Sequence, residues 1–266
     1  MVENVYFPEG IETFEYPIIS RTNLAEIPLL DEVLEDLHPL PAYSLLLGLC
    51  EDGLPVILDL TDPSAGGFLI TGDNGFANFA LLYSILTTAC KVNTEEEVNL
   101  HLISPHANDL IELHRQSHFK ISFDPSRPEC EIVIEEMVNL VHHRQGSGEI
   151  QPIHILAIDG LDLLFQTLSM EAQSWFKWLL KFGPEAGLWI FATIESRCVN
   201  NAHYGVIESF PSRILGNIKS PQMARYLSGM SRDNLDDLIQ DSQFFMRSGG
   251  ESFNMWMLAT DEYKNY

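Results

Sequence analysis

Apolar residues in this chain fall into short continuous runs and into longer stretches with helical spacing, and the two kinds of segment alternate. Leu45–Cys50 and Pro55–Leu60 flank Glu51-Asp52-Gly53-Leu54, and an Asp-Gly turn between apolar runs predicts a β-hairpin. Phe68–Thr71, Val98–Ser104 and Leu188–Thr193 read as further strands, and Ile153–Ile158 is an apolar run of the kind found in a central strand covered on both faces. From Phe79 onward, Phe79, Leu82, Tyr83 and Leu86 recur at helix spacing. Leu81 and Ile85 make the remaining faces apolar as well, so a helix buried nearly all round is expected.

Asn108–Arg115 reads as a short helix. Glu131–Arg144 reads as a longer one, with Ile134, Met137, Val138 and Val141 on one face and Gln145-Gly-Ser-Gly148 ending it. Ala172–Phe182 is a third. Ile214–Ile218, Gln243–Met246 and Phe253–Leu258 add late strands, with Asp237–Asp241 leading into the final pair. The order predicts an α/β fold: a mainly parallel sheet with helices on both faces, plus late antiparallel strands. Residues 1–43 hold Pro8, Pro17, Pro28, Pro39 and Pro41 around one amphipathic piece, Leu29–Leu37, and are expected to form an arm with a short helix that wraps a single domain of residues 44–266.

Charge narrows the function. The chain has 38 Asp and Glu against 15 Lys and Arg, a net charge of −23, which would repel a phosphate backbone. Direct nucleic-acid binding is disfavoured, and the same charge also keeps a protein soluble. Cys50, Cys90, Cys130 and Cys198 are scattered without a C-x-x-C pair, as expected of reduced thiols. The first residues lack a basic region followed by an apolar run, and no stretch of about 18 or more uncharged apolar residues is seen, so no membrane segment and a cytoplasmic location are expected.

The segment Phe68-Leu-Ile-Thr-Gly72-Asp73-Asn74-Gly75-Phe76-Ala77-Asn78-Phe79 has the layout of a buried strand, a glycine turn and a helix start. A phosphate-binding loop reads G-x-x-x-x-G-K-[ST], its lysine on the β/γ-phosphates and its hydroxyl on Mg²⁺. Counted from Gly72, those last three places hold Ala77, Asn78 and Phe79. Each missing charge-assisted contact removes about 1.5–3 kcal/mol, so losing two weakens nucleotide binding by roughly a hundredfold to more than ten-thousandfold. A backbone anion site at a helix N-terminus survives such substitutions, and Asp73 is a candidate cap for that helix.

The chain resembles the motor domain of the FtsK/HerA group of P-loop ATPases, in particular FtsK/SpoIIIE and the tandem modules of type VII secretion, over roughly residues 45–260. The landmarks are Gly48-Leu49 and Pro55–Leu60 ahead of the loop, Val98–Pro105 with Asp109–Leu113, and Ala186-Gly187-Leu-Trp-Ile-Phe-Ala192-Thr193. The resemblance implies a P-loop NTPase-like, RecA-like fold. It places Ile155–Asp159 where such proteins carry the Walker B strand, whose aspartate supports Mg²⁺. Asp159 equally suits a turn or helix cap at a strand end. The family's hydrolytic glutamate is replaced by Gly160, its inter-subunit arginine by Pro184, and its Ala-Thr-Gln-Arg-Pro by Ala192-Thr193-Ile194-Glu195-Ser196. Phe210-Pro211-Ser212-Arg213-Ile214 still resembles the family's Pro-x-Arg segment.

The expectation is a degenerate, non-hydrolysing pseudo-ATPase serving assembly or regulation beside a protein partner, either a related active ATPase or further copies of itself in a ring. Gly72–Phe79 would then be a vestigial nucleotide loop and Asp159 a vestigial Walker B residue, with no catalytic residue and no metal assigned. ATP and Mg²⁺ would enter only if the loop retains binding. The alternatives are an ATP-dependent DNA or protein translocase and a nucleotide sensor that binds without hydrolysis.

Two other groups stand out. His101, His106, His114 and His118 invite a metal reading, and His114 with His118 has i, i+4 spacing, but no third ligand is fixed; polar positions near a sheet edge and on a solvated helix explain them as well. Trp175, Phe176, Trp178, Leu179 and Phe182 crowd one helix, mostly as core, with Trp175 and Trp178 also placed to form an aromatic patch for a neighbouring subunit.

Overall fold

Six parallel strands carry the site, and four antiparallel ones extend them. The computed structural model describes residues 27–106, 113, 115–230 and 235–260. The strands are β1 (Ser44–Cys50), β2 (Pro55–Asp59), β3 (Phe68–Gly72), β4 (Val98–Ile103), β5 (Phe119–Phe123), β6 (Ile153–Ile158), β7 (Leu188–Glu195), β8 (Ser212–Leu215), β9 (Gln243–Ser248) and β10 (Glu251–Trp256). They form one ten-stranded sheet in the order β2-β1-β10-β9-β8-β3-β7-β6-β4-β5. From β8 to β5 every pairing is parallel; from β8 through β9, β10 and β1 to β2 every pairing is antiparallel. The expected α/β architecture with late antiparallel strands is therefore present, and the predicted hairpin closes through Asp52, whose Oδ1 accepts the Leu54 N–H at 3.1 Å.

The helices are α1 (Leu30–Leu37), α2 (Gly75–Val92), α3 (Glu129–Ser147), α4 (Leu161–Thr167), α5 (Met170–Phe182), α6 (Tyr204–Ile207) and α7 (Pro221–Ser228). Strand side chains alternate between two cores, as a period of two requires. Phe68, Ile70, Leu100, Leu102, Ile155, Ala157 and Phe191 face α2. Leu69, Leu156, Ile158, Ile190, Ala192 and Ile194 face α3, α4 and α5. α2 is long and apolar enough by composition to cross a membrane, yet 67% of that window is buried inside the fold, as befits a core helix. α1 packs Leu30, Val33 and Leu37 on Leu46, Leu49 and Leu258.

Several expectations need correction or fall outside the described residues. Residues 1–26, most of the helix expected at Asn108–Arg115, and His114 lie outside them. β5, α4, α6 and α7 were not anticipated, and the late strand expected at Ile214–Ile218 is shifted to Ser212–Leu215. Three arginines, Arg144 and Arg213 buried and Arg247 half-buried, tie the periphery together. Arg144 donates to the carbonyls of Ala186 and Pro152 at 2.9 and 2.5 Å. Arg213 donates to Leu227 O at 2.5 Å and Arg247 to Ser228 O at 2.7 Å, satisfying carbonyls at the end of α7.

Candidate functional site

β3 ends at Gly72, only Asp73 and Asn74 lie outside regular structure, and α2 begins at Gly75. A phosphate loop needs its backbone N–H groups turned toward the ligand over several residues before the helix starts. Here Asn74 caps the helix, its Oδ1 accepting the Phe76 N–H at 3.0 Å, and the Asn78 N–H already bonds back to Asn74 O at 3.2 Å. Helix thus begins at Gly75, two residues ahead of Ala77, inside the stretch between the two glycine places of the motif. Gly75 leaves room for Glu195 at this helix start: a Cβ there would lie 2.2 Å from Glu195 Oε1 and displace the carboxylate.

The three positions of lost chemistry are turned inward. Ala77, Asn78 and Phe79 are all buried. Asn78, in the lysine place, reaches the carbonyls of Gly72 and Ile194 with long hydrogen bonds of 3.4 and 3.5 Å, and its Oδ1 has no partner. Phe79 packs near Tyr83 and against the His106 ring, 5.2 Å between centroids for the latter. Phe76 is the exposed member, at 45%.

Asp73 does not cap the helix, contrary to the sequence expectation; Asn74 does. Asp73 instead joins three loops: its carboxylate accepts the Ser196 hydroxyl and the Lys219 N–H, the latter at 2.9 Å, while its own N–H donates to Asn217 O at 2.9 Å. Asn74 Nδ2 donates to Asp241 Oδ1 at 2.5 Å. Around these groups lies an open cleft of 440 Å³ at the carboxyl edge of the parallel strands. Glu195, Arg197, Asn217, Lys219, Asp241 and Gln243 line it together with the Gly72–Asn78 segment. Sequence reasoning missed these six. Their signal was positional, since ligands of open α/β sheets bind outside the carboxyl ends of the strands, where Glu195 ends β7 and Asn217 follows β8.

Asp159 stands apart. It follows β6, which is separated from β3 by β7, and it is not part of the cleft lining. Its Oδ1 accepts the Thr193 hydroxyl at 2.8 Å and its Oδ2 the Ser104 hydroxyl at 3.0 Å. Burial pushes its carboxyl above the usual range, against these two hydrogen bonds. Gly160 follows with φ 84° and starts α4, so a glutamate at that position would carry left-handed backbone strain and a Cβ 3.1 Å from Leu163 Cδ1.

Among the described residues, the histidines of this group do not come together. His101 Nε2 lies 2.9 Å from Nδ1 of His154, on the adjacent strand, and His118 Nε2 hydrogen-bonds Asn93 O at 2.8 Å. His101 lies on β4, one strand in from the sheet edge, and is buried; His118 is buried as well, not on a solvated helix. Among the described residues no group of three His, Cys, Asp or Glu could hold a metal ion. Trp175 and Trp178 are partly buried against the core, Trp178 lying 4.5 Å from the His142 ring, while Phe176 and Leu179 are fully enclosed.

No family model matches the chain, and no curated protein sequence does. Its architecture does match solved structures. The cytoplasmic domain of the Thermomonospora curvata type VII secretion ATPase EccC superposes with TM-score 0.66 at 16% identity over 84% of this chain and 29% of that one. EssC (ATPases 2 and 3) from Geobacillus thermodenitrificans gives 0.66 at 15% identity, covering 89% and 45%. The pCW3 conjugation coupling protein TcpA, solved with ATPγS, gives 0.68 at 13% identity, covering 89% and 70%. The chain thus spans less than half of the EccC and EssC structures. The fold is that of FtsK-type P-loop ATPase domains, as the motif resemblance implied.

Proposed function

We propose that this chain is an FtsK-type P-loop module that neither binds nucleotide tightly nor hydrolyses it, and that it acts in the cytoplasm through protein partners as an assembly or regulatory subunit. The observation that carries this reading is the start of α2 at Gly75, which places helix where a phosphate loop would open and turns Asn78 into the core. Three further features support it. Asp159 spends both carboxylate oxygens on Thr193 and Ser104, Gly160 occupies the place of the water-activating glutamate, and Pro184 that of the inter-subunit arginine. With Asn78 in the place of the loop lysine, Pro184 in that of the inter-subunit arginine and Asp159 held by two hydroxyls, the groups that normally balance charge on a transferring phosphoryl group are missing from their places, and an arginine finger alone contributes about 10³–10⁵ in rate.

In the same reading residues 44–266 form the ATPase-like domain, and residues 1–43 form an arm that docks on it through α1. The protein partner is either a related active ATPase or further copies of the chain; EccC and EssC, which share the fold, were solved as structures larger than this chain. A thermal-shift series with Mg·ATP, beside a phosphate-release assay, tests the proposal. Neither a shift in melting temperature nor release above the no-protein blank is expected; release that depends on Asp159 would overturn it.

A further inference from the structure

Glu195 is the last residue of β7 and pairs in register with Gly72, the last residue of β3. By the period of two its side chain leaves the strand on the same side as Phe191, toward α2. There its outer end lies over Gly75: a Cβ on that glycine would meet Oε1, Cδ and Cγ of Glu195, all within 2.9 Å. α2 is 18 residues long, so Gly75 stands at the positive end of a long helix dipole, and a carboxylate is the side chain such an end favours. On its other oxygen the same carboxylate takes the Arg197 Nε–H. An anion between a helix start and a guanidinium is the arrangement a phosphate would otherwise complete.

Asp73 repeats the pattern on the next loops. Its carboxylate accepts the Ser196 hydroxyl and the Lys219 N–H, so donors that follow β7 and β8 are also filled from within. Counted along the cleft lining, the carboxylates of Asp73, Glu195 and Asp241 outnumber the cations of Arg197 and Lys219 by three to two. Removing Glu195 alone would leave two against two and release the Arg197 guanidinium from its partner. The cleft therefore turns from anion-repelling to balanced on the loss of one side chain.

We propose that Glu195 is a built-in plug: its carboxylate holds the place of a phosphate at the start of α2 and keeps anions out of the cleft. The plug rests on the pseudo-ATPase reading and adds to it a second barrier, distinct from the absence of the loop lysine at Asn78. It is also removable. The Arg197 side chain is 75% exposed, so the ion pair stabilises the fold little, and the carboxylate can be taken away without opening the core.

The test uses the full chain with inorganic pyrophosphate as probe, followed by backbone amide NMR shifts. Wild type is expected to show no saturable response. Glu195→Ala should show saturable shifts centred on Gly75, Phe76 and Ala77, with an apparent affinity at least about tenfold above wild type that weakens as NaCl is added. Glu195→Gln, which keeps the bulk and drops the charge, should gain as well, to a smaller degree, and serves if the alanine variant does not fold. The Glu135→Gln, Glu136→Gln variant removes two charges from α3, outside the cleft lining, and should gain nothing. An equal gain in that control would assign the exclusion to net charge and overturn the plug; so would saturable binding by wild type, or no gain in a folded Glu195 variant. A parallel Mg·ATP titration of wild type separates the two claims. Saturable ATP binding there sinks the pseudo-ATPase reading, whereas a silent wild type with a silent Glu195 variant sinks only the plug.

Discussion

Thr193 Oγ1 donates to Asp159 Oδ1 at 2.8 Å and accepts the Gly160 N–H at 3.0 Å, so one hydroxyl fastens the end of β6 to the end of β7. A carboxylate held this way is a structural strut. Its elevated pKa means that the charged form is the less comfortable one: the stability it lends is fully present below the ordinary 3.8 and is lost as pH rises through the folded value. Asp159→Asn is therefore expected to leave stability near neutral pH unchanged or slightly raised. Asp159→Leu leaves two hydroxyls without their acceptor and is expected to cost about 2–4 kcal/mol. Urea denaturation of the two variants distinguishes strut from metal ligand.

Restoring the loop residues by name is not expected to restore the loop. Asn78→Lys places an ammonium where the asparagine is 1% exposed, and an unpaired buried charge costs about 3 kcal/mol or more. The Asn78→Lys, Phe79→Ser variant should melt well below the wild type and gain no affinity for Mg·ATP. Differential scanning fluorimetry with and without nucleotide reads both outcomes.

Arg144 is 5% exposed, and its guanidinium donates to the backbone carbonyls of Ala186, Gly187 and Pro152. Burial lowers its pKa, with Glu149 opposing. Arg144→Met should destabilise by roughly 2–4 kcal/mol, because Ala186 O and Pro152 O lose their donor. Arg144→Lys should recover little of it, since a point charge cannot span both carbonyls. Chemical denaturation midpoints check the order wild type, Lys, Met.

Burial lowers the His101 imidazole to about 4, with Lys120 adding to the effect; it lowers His154 to about 3, with His101, Arg144 and Lys120 adding. Both folded values lie below the ordinary 6.5, so the unfolded chain binds more protons than the native one on the acid side of that value. The stability of the pair is present above 6.5 and is lost as pH falls toward 4 and then 3. The His101→Gln, His154→Gln variant should show a shallower fall of stability over that window, by up to two protons, measured from urea midpoints at stepped pH.

The sheet was legible because its central strands, Phe68–Thr71 and Ile153–Ile158 among them, are covered on both faces and so read as continuous apolar runs. β5 was not, because at the sheet edge its residues are only partly buried and mix with polar ones. α7 carried an unread signal, Ser220 at its N-cap followed by Pro221 at N1. The lost chemistry at Ala77, Asn78 and Phe79 could be counted from the sequence. The early helix start could not, although Asn74 is a good cap residue, because motif counting assumes the loop it looks for. Pairing of Asp159 with Thr193 and Ser104 needed the strand order β4-β6-β7, which no single-strand pattern contains.

Calorimetric titration of the wild-type chain with ATP in the presence of Mg²⁺ tests the central claim most directly. The buried Asn78 and the helix beginning at Gly75 predict no saturable heat at concentrations where P-loop ATPases are filled. Saturable binding near micromolar affinity, abolished by Asp159→Ala, would contradict the account.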